Sequence, residues 1–510
     1  MSSSGINLSA LSYVHPDGTR ALQGIDAVIP AGRTGLVGRN GSGKSTLLRL
    51  IAGELRPTSG SVAVRGRLAC LPQDVTLDPT VPVDRVLGIY EVRKSLHRIE
   101  SGTFSDRDFE IVGDRWDIED RALALVHRVG LDRILHEPAD FDRTVGQLSG
   151  GETVLLAFTA RLLDEPDVLL LDEPTNNLDA DGRARLQDAL ERFTGTVVVA
   201  THDRELLEGA DSIAELREGS LRLFGGAFDE YERIVAQEQQ AAQAAVREAR
   251  NDVRRQAREL TTAQVALARR QRYGQKMYEQ KREPKIVMGA RKRQAQDSAG
   301  RYRREHEQDL AAARENLDRA QDLVRDDLEI RIDLPGSTVP PGRRVADTPV
   351  EIVGPERIAL RGPNGSGKTT LLHDIAEAGP LVPFALLPQR LDIFDDDRSV
   401  AENAEDRAPH LTSQQVRARL ARFLFRGHRA EVPVGALSGG ERLRAALAIV
   451  LAADPPPQLL LLDEPTNNLD LAGLAHLTQA LRGYGGALVV VSHDKRFLQE
   501  VGVRRSIALR

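Results

Sequence analysis

The sequence predicts an α/β protein in which two domains, each with a mostly parallel sheet and a helical subdomain, are joined by a long antiparallel α-helical hairpin. Three observations lead to this fold class. The pattern GxxxxGK(S/T) occurs twice, each time between an apolar stretch and a helical one. Unbroken apolar runs, Val168 to Leu171 and Leu459 to Leu462, follow in both halves, as in strands buried on both faces of a parallel sheet. Between the halves, apolar residues recur every seven positions, which is typical of a coiled-coil seam.

The two glycine-rich patterns predict two nucleotide-binding sites. Their glycines let backbone N–H groups converge on phosphate oxygens at a helix N-terminus, and the lysine can reach the outer phosphates. The second copy did not arise by chance, because the same motifs follow both copies in the same order. The candidate residues are Gly38, Asn40, Gly41, Ser42, Gly43, Lys44, Ser45 and Thr46 in the first copy, and Gly362, Asn364, Gly365, Ser366, Gly367, Lys368, Thr369 and Thr370 in the second.

An Asp-Glu pair ends the apolar run in each half. Burying two carboxylates there is costly unless a cation lies beside them, which favours Mg²⁺ bound together with the nucleotide. We expect each glutamate to orient or deprotonate the attacking water. The candidate metal ligands are Ser45, Asp172 and Gln73 in the first half and Thr369, Asp463 and Gln389 in the second, and the candidate bases are Glu173 and Glu464.

Matched spacing also singles out two histidines. His202 and His493 each lie 30 residues after the aspartate of their half, which favours contact with the γ-phosphate. The other histidines considered have no such counterpart, and we expect them to be structural or exposed; they are His15, His97 and His127.

Composition bounds the class of protein. The chain has 510 residues, is 41% hydrophobic and carries a net charge of −6, all ordinary for a globular protein with several domains. No apolar run approaches the ~20 residues of a membrane span, and the N-terminus does not resemble a secretory signal. Cys70 is the single cysteine, which we expect to be a buried small hydrophobe. These features predict a cytoplasmic protein.

The middle of the chain is strongly basic. From Arg269 to Arg304 there are 13 Lys or Arg and 3 Asp or Glu, a local charge of +10 in an acidic chain. Pro284 and Gly289 interrupt the seven-residue repeat, so we expect two helices folded back on each other with the basic residues at the far end. Such a tip favours contact with a polyanion, and a solvated helical face is the alternative. The candidate RNA-binding residues are Lys276, Lys281, Arg282, Lys285, Arg291, Lys292 and Arg293.

These features divide the chain into residues 1–230, 231–330 and 331–510, with the basic tip near 276–293. The first part has 76 positions between Gln73 and Ser149, against 49 between Gln389 and Ser438 in the last part. We therefore expect an inserted helical arm near 89–129.

Together the motifs resemble those of the ATP-binding cassette (ABC) ATPases, whose signature is Leu-Ser-Gly-Gly. We call residues 1–230 the first cassette and 331–510 the second. The resemblance implies a monomer in which the cassettes pair head to tail, so that Ser438 completes the Lys44 site and Ser149 the Lys368 site. It also implies that Tyr13 stacks on adenine. The signature residues are Ser149, Gly150, Gly151, Glu152, Ser438, Gly439, Gly440 and Glu441.

Two cassettes on one chain, a basic linker and the repeated Asp-Glu-Pro-Thr-Asn-Asn-Leu-Asp at 172–179 and 463–470 resemble the ABC-F subfamily. That resemblance implies Mg²⁺-dependent ATP hydrolysis and binding to the ribosome, with contacts to rRNA and peptidyl-tRNA. It implies a role in translation or in protection from antibiotics. The alternatives are a DNA-remodelling ABC ATPase and the ATP-binding subunit of a drug exporter, of which the exporter subunit does not account for the basic hairpin.

Overall fold

The computed structural model describes residues 5–73, 78–176, 178–279, 285–325, 336–389, 393–437, 439–451, 453–467 and 469–509, except the side chains of 270, 271, 274, 275, 277–279, 285–300, 302, 303, 439 and 440. Contacts divide the chain into two compact units, one made of Met1–Asp229 with Glu329–Arg510 and the other of Glu230–Leu328. Both cassettes therefore belong to one unit, and the linker forms the other.

The first cassette contains nine strands and eight helices within its described residues. The strands are β1 (Ile6–Val14), β2 (Arg20–Ile29), β3 (Gly32–Val37), β4 (Ser59–Val64), β5 (Leu68–Leu71), β6 (Val168–Asp172), β7 (Thr196–Ala200), β8 (Ser212–Arg217) and β9 (Ser220–Gly225). The helices are α1 (Lys44–Ile51), α2 (Val83–Val86), α3 (Tyr90–Glu100), α4 (Asp106–Val112), α5 (Ile118–Arg128), α6 (Gly150–Leu163), α7 (Ala180–Glu191) and α8 (Arg204–Glu208).

The main sheet has the order β5-β6-β7-β3-β8-β9, and every neighbouring pair is parallel except β8 with β9. Strands β2, β1 and β4 form a separate antiparallel sheet. All five residues of β6 and of β7 are buried, as their unbroken apolar runs predict. Helices α3, α4 and α5 occupy the stretch where the helical arm was expected.

The second cassette repeats the design in smaller form. Its strands are β10 (Arg344–Ala346), β11 (Ile352–Val353), β12 (Arg357–Arg361), β13 (Phe384–Leu387), β14 (Leu459–Asp463), β15 (Ala487–Val491) and β16 (Arg505–Ala508). Its helices, numbered after the two of the linker, are α11 (Lys368–Glu377), α12 (Val400–Arg407), α13 (Ser413–Leu420), α14 (Gly439–Leu451), α15 (Leu471–Gly483) and α16 (Lys495–Glu500). The main sheet, β13-β14-β15-β12-β16, is parallel at every pairing.

Strand order brings the candidate site residues of each cassette to one edge. Asp172 at the end of β6 pairs with Ala200 at the end of β7, and Ala200 pairs with Leu36 near the end of β3. The glycine-rich loop follows β3 and His202 follows β7. Because the carboxyl ends of parallel strands meet at one edge of a sheet, the loop, the Asp-Glu pair and the histidine converge there.

The linker consists of helix α9 (Phe228–Glu279) and helix α10 (Lys285–Asp322). With 52 residues, α9 is ~78 Å long at 1.5 Å per residue. The side chain of Gln239 in α9 makes two hydrogen bonds with the backbone of Arg325, just after α10, so the two ends of the linker lie side by side. The buried seam residues Ala263, Leu310, Ala313 and Ala320 are at most 9% exposed. The predicted antiparallel hairpin is thus present. No helix in the described part of the chain combines the length and apolar character of a membrane span.

Candidate nucleotide sites

Each glycine-rich loop turns into a helix at a residue with a left-handed backbone. Gly43, the N-cap of α1, has a φ of 101°, and Gly367, the N-cap of α11, has a φ of 86°. The lysine that follows each glycine is buried and donates a hydrogen bond back into its loop, from Lys44 Nζ to Gly38 O (2.9 Å) and from Lys368 Nζ to the equivalent carbonyl (2.8 Å). A ring of backbone N–H groups closed by a lysine suits phosphate oxygens.

Two hydroxyls in these loops are placed to bind a phosphate. Ser42 Oγ and Ser366 Oγ are buried and have no hydrogen-bond partner among the described residues. A buried hydroxyl without a partner costs free energy, so its presence at the same place in both loops points to a ligand that supplies the missing bond. The residues present therefore fit ATP.

The candidate metal ligands also suit the binding of Mg²⁺. Asp463 is buried, which raises the pKa of its carboxyl, while a hydrogen bond from the Thr369 hydroxyl acts in the opposite direction. In the first cassette Ser45, Asp172 and Gln73 line one cavity. Mg²⁺ prefers a few protein oxygens combined with phosphate oxygens, and this set of hydroxyl, carboxylate and amide groups provides them.

The two candidate bases share an unusual backbone conformation. Glu173 has a φ of 47° and Glu464 a φ of 43°, in the left-handed region that non-glycine residues rarely adopt. Each follows its strand directly and donates its backbone N–H to the last residue of the neighbouring strand, Ala200 O (2.7 Å) or Val491 O (2.9 Å). Strain of this kind costs about 1–3 kcal/mol and clusters at functional sites.

Each base lies against its histidine. His202 Nε2 is 3.3 Å from Glu173 Oε1 and 3.0 Å from Lys44 Nζ, and His493 Nε2 is 3.2 Å from Glu464 Oε1. Burial lowers the pKa of His202 to about 3 and that of His493 to about 4, so both rings are neutral at pH 7. Burial raises the pKa of each glutamate to about 7, against the opposing effect of nearby cations.

The cavity at the first site has a volume of about 400 Å³ and is lined from both cassettes. The first cassette contributes its loop, Gln73, Asp172, Glu173 and His202, and the second contributes Thr466, Asn467, Leu469, Leu474 and Asp494. His15 also lines this cavity, and its structural or exposed role stays a prediction. Tyr13 packs edge-on against His15, with ring centroids 5.1 Å apart, and is not among the lining residues. Stacking of Tyr13 on adenine stays a prediction.

Two aspartates join the cassettes across the loops. Asp470 Oδ2 accepts a hydrogen bond from the backbone N–H of Asn40 (3.0 Å), and Asp179 Oδ2 accepts one from Asn364 (3.3 Å). The other oxygen of each carboxylate caps its own helix, α15 or α7. These two aspartates had no predicted role, although each is the last residue of the repeated Asp-Glu-Pro-Thr-Asn-Asn-Leu-Asp, which was an available signal.

The signature residues are only partly described. Ser149 is the N-cap of α6 and forms a reciprocal capping box with Glu152, whose carboxylate accepts from Ser149 N at 2.7 Å. Gly150 and Gly151 form the first turn of that helix. In the second signature Gly439, Gly440 and Glu441 begin α14, whereas Ser438 lies outside the described residues. Pairing of each signature with the opposite loop therefore stays a prediction.

The linker tip is described in part as well. Lys276 is exposed near the end of α9, and Lys281 and Arg282 lie outside the described residues. Lys285, Arg291, Lys292 and Arg293 belong to α10, but their side chains are outside the described part of the structure.

Paired glycine-rich loops, strained glutamates and a cavity lined from two cassettes define an ABC ATPase with both cassettes on one chain. Comparison with protein families agrees: residues 22–176 match the ABC transporter family, and residues 379–498 match an AAA domain described as a putative AbiEii toxin of a type IV toxin–antitoxin system. Among solved structures, the archaeal ribosome recycling factor aABCE1, in complex with the ribosomal stalk protein aP1, has the same fold, with a TM-score of 0.55. The two chains are 19% identical, and the match covers 98% of this chain and 87% of the aABCE1 chain.

Curated relatives match over nearly the whole chain. The tylosin resistance ATP-binding protein TlrC of Streptomyces fradiae is 32% identical, over 97% of this chain and 95% of the relative. The energy-dependent translational throttle protein EttA of Escherichia coli K12 is 30% identical, over 92% of this chain and 86% of the relative. The ATP-binding protein Uup of Haemophilus influenzae is 31% identical, over 91% of this chain and 72% of the relative. The chain belongs to the ABC-F family, and it is a Mg²⁺-dependent ATPase.

Proposed function

We propose that this ATPase binds the ribosome and uses its ATP cycle to modulate translation or to protect the ribosome from antibiotics. The observation that carries the proposal is the linker, a hairpin of two helices with 52 and 38 residues inserted between two hydrolytic cassettes. Its tip, near residues 276–293, concentrates basic residues, which suits contact with a polyanion. The relatives named for translational throttling and for tylosin resistance support the same function.

At each site we propose that the glycine-rich loop and its lysine bind the phosphates, while the hydroxyl of Ser45 or Thr369 and the neighbouring aspartate hold Mg²⁺. Glu173 or Glu464 then accepts the proton of the attacking water, and the neutral histidine beside it contacts the γ-phosphate. Mg²⁺ when bound neutralises charge on the phosphates. Because the bases are held by strained turns, we expect little movement of the carboxylates during turnover.

The tip residues Lys276, Lys281, Arg282, Lys285, Arg291, Lys292 and Arg293 are proposed to contact rRNA and peptidyl-tRNA, since cations neutralise RNA phosphates. Exposed Tyr273, 68% accessible, can stack on an unpaired base. The proposal implies a cytoplasmic monomer whose cassettes pair within one chain.

Co-sedimentation with purified ribosomes tests the function. A variant with both candidate bases replaced, Glu173→Gln with Glu464→Gln, should accumulate in the ATP-bound state and pellet with ribosomes when ATP is present. ADP in place of ATP is the control and should leave the protein in the supernatant. Equal pelleting with ATP and ADP, or binding to duplex DNA in preference to ribosomes, would contradict the proposal.

A further inference from the structure

Helices α8 and α16 occupy equivalent places in the two cassettes but differ in charge. Each helix begins after a capping aspartate, Asp203 or Asp494, that directly follows the histidine of its site. At the second position of the helix the first cassette has Glu205 and the second has Arg496. Helix α8 carries one cation and two carboxylates, whereas α16 carries two cations and one carboxylate. The two helices are therefore opposite in sign.

The helices meet across the cassette interface, and one contact between them is largely buried. Arg204 Nη1 donates to Glu500 Oε2 at 3.0 Å, which joins the start of α8 in the first cassette to the end of α16 in the second. The Arg204 side chain is 7% exposed and that of Glu500 is 24% exposed. The other oxygen of Glu500 accepts from Arg496 Nε of its own helix at 3.3 Å. A carboxylate held between two guanidinium groups and shielded from water is screened less by salt than an exposed pair.

Further contacts repeat the opposite signs along the two helices. Lys495 Nζ lies 3.4 Å from Glu205 Oε1. Arg496 Nη1 lies 3.7 Å from Glu208 Oε1 and 3.4 Å from Asp229 Oδ1, near the end of the first cassette. These pairs are more exposed, and an exposed pair by itself contributes little. Together they place both cations of α16 against carboxylates of the first cassette.

Two identical first cassettes would not fit each other through the same contacts. In that pairing Gly209 would take the place of Glu500 opposite Arg204, so the buried guanidinium would lose its carboxylate. Glu205 would take the place of Arg496, and two carboxylates would face each other. A buried cation without a partner and like charges in contact both cost free energy, so this pairing is disfavoured.

Two identical second cassettes would not fit either. In that pairing Arg496 would face a second Lys495, which brings two cations together. Gln499 would take the place of Glu208, so Arg496 would lose a carboxylate as well. Pairing of unlike cassettes is thus the arrangement in which the contacts between these helices join opposite charges.

We infer that α8 and α16 form a docking surface whose charges select the unlike cassette as partner and hold it in register. The linker supplies that partner from the same chain at a high effective concentration. Because each helix starts two residues after the histidine of its site, the contact also sets the position of the two histidine segments relative to each other. The inference concerns the free protein and does not depend on the proposed binding to the ribosome.

An exchange of charges in the full chain tests the inference. Glu205→Lys with Glu208→Lys makes both helices positive, as in a pair of second cassettes. ATP turnover at low salt should fall by about 10-fold, since two contacts worth up to about fivefold each are lost and the cavity for hydrolysis is lined from both cassettes. Adding Lys495→Glu with Arg496→Glu restores opposite signs and should bring turnover to within about threefold of the parent. The remaining loss reflects the pair that Arg496 makes with Glu500.

A matched control separates pairing from net charge. Asp188→Lys with Glu191→Lys, on α7 of the same cassette, makes the same change in charge at the same spacing. There Glu191 accepts from Gln187 of its own helix at 3.2 Å, so turnover should stay within about twofold of the parent. Raising the salt concentration should increase turnover of the α8 variant relative to this control, because salt screens the new repulsion.

The outcomes decide the inference. It is wrong if the α8 variant and the α7 control have equal turnover, or if the four-residue exchange restores nothing. If the α8 variant fails to fold, the exchange variant decides: an active enzyme supports the docking surface and an inactive one overturns it. None of these measurements involves ribosomes, so a failure here leaves the proposed function standing, and a failure of ribosome binding leaves this inference standing.

Discussion

Asp470 in the second cassette accepts a hydrogen bond at 3.0 Å from the backbone N–H of Asn40 in the glycine-rich loop of the first, and it caps helix α15 with its other oxygen. The same carboxylate therefore stabilises its own helix and ties it to the opposite nucleotide site. Asp179 and Asn364 repeat the arrangement at 3.3 Å. Pairing of the cassettes and the shape of each loop are consequently coupled through two residues.

Substitutions of Asp470 can separate its role as a helix cap from its role in pairing the cassettes. Asp470→Ala should lose a cap worth about 1 kcal/mol of stability and should also weaken ATP-driven closure. Asp470→Asn is the matched control for capping, because asparagine keeps one oxygen to cap the helix while its amide nitrogen cannot accept the N–H of Asn40. Thermal unfolding measures the first effect, and small-angle scattering in the base-deficient background measures the second. An alanine variant that closes like the parent would show that the contact does not matter for pairing.

The strained glutamates should carry the chemistry of hydrolysis. Glu173→Gln with Glu464→Gln should lower ATP turnover by about 10²–10⁴-fold, because glutamine keeps the shape but cannot accept the proton. Equilibrium dialysis should still find two nucleotides bound per chain. Glu165→Gln is the control, since Glu165 also has a positive φ of 48° but is an exposed residue paired with Arg121. Turnover at the parent rate in the double variant would refute both assignments.

The signature serines test head-to-tail pairing. Ser438→Arg should impair the Lys44 site, and Ser149→Arg should impair the Lys368 site, because arginine would obstruct the nucleotide bound to the opposite loop. Each substitution is combined with Glu173→Gln, which leaves hydrolysis to the second site, or with Glu464→Gln, which leaves it to the first, to show which site fails. Ser105→Arg is the control for loss of a helix cap, since Ser105 caps α4 in the arm with the same reciprocal box. Loss of the site in the same cassette as the substitution would contradict trans pairing.

The linker tip should couple ATP hydrolysis to its target. Replacing Lys281, Arg282 and Lys285 with glutamine should leave basal ATP turnover nearly unchanged and remove the effect on cell-free translation. The salt dependence of ribosome binding should also decrease. Each phosphate contact contributes about −0.7 to the slope of the logarithm of the binding constant against the logarithm of salt concentration for single strands. A control triple variant removes three exposed cassette arginines, Arg56, Arg65 and Arg343. A tip variant that acts like the parent on translation would mean that the hairpin is a spacer.

The single cysteine should react slowly. Cys70 in β5 is partly rather than fully buried, and burial, followed by the charges of Glu54 and Asp172, raises its pKa from 9.0 to about 11. At pH 8 the thiolate fraction falls from about one tenth to about one thousandth, and only the thiolate is nucleophilic. We expect native protein to react with a disulfide reagent about 100-fold more slowly than the chain unfolded in denaturant. Equal rates would show an accessible, unshifted thiol.

Much of the site is encoded in short stretches of sequence. The loops around Lys44 and Lys368 each lie within eight consecutive residues, and the Asp-Glu pairs follow buried strands directly, so residue type and spacing predict their chemistry. Strand order then brings His202 to Glu173, whereas the contact of His202 with the γ-phosphate, which matched spacing suggested, stays a prediction. His15, by contrast, lines the first cavity although nothing in its neighbourhood in sequence distinguishes it.

The sequence by itself determined that the chain has two glycine-rich nucleotide-binding patterns, that each is followed by its own Asp-Glu pair and histidine, and that a basic stretch lies between the two halves, because local patterns of a few residues specify each of these. Tertiary structure alone decided which residues of the two cassettes meet at each site. Asn40 and Asp470 are 430 positions apart, and Asn364 and Asp179 are 185 apart, so no local pattern relates them. Folding also brings Thr466, Asn467 and Leu474 of the second cassette to the cavity that Lys44 and Glu173 of the first cassette line, which no local pattern could specify.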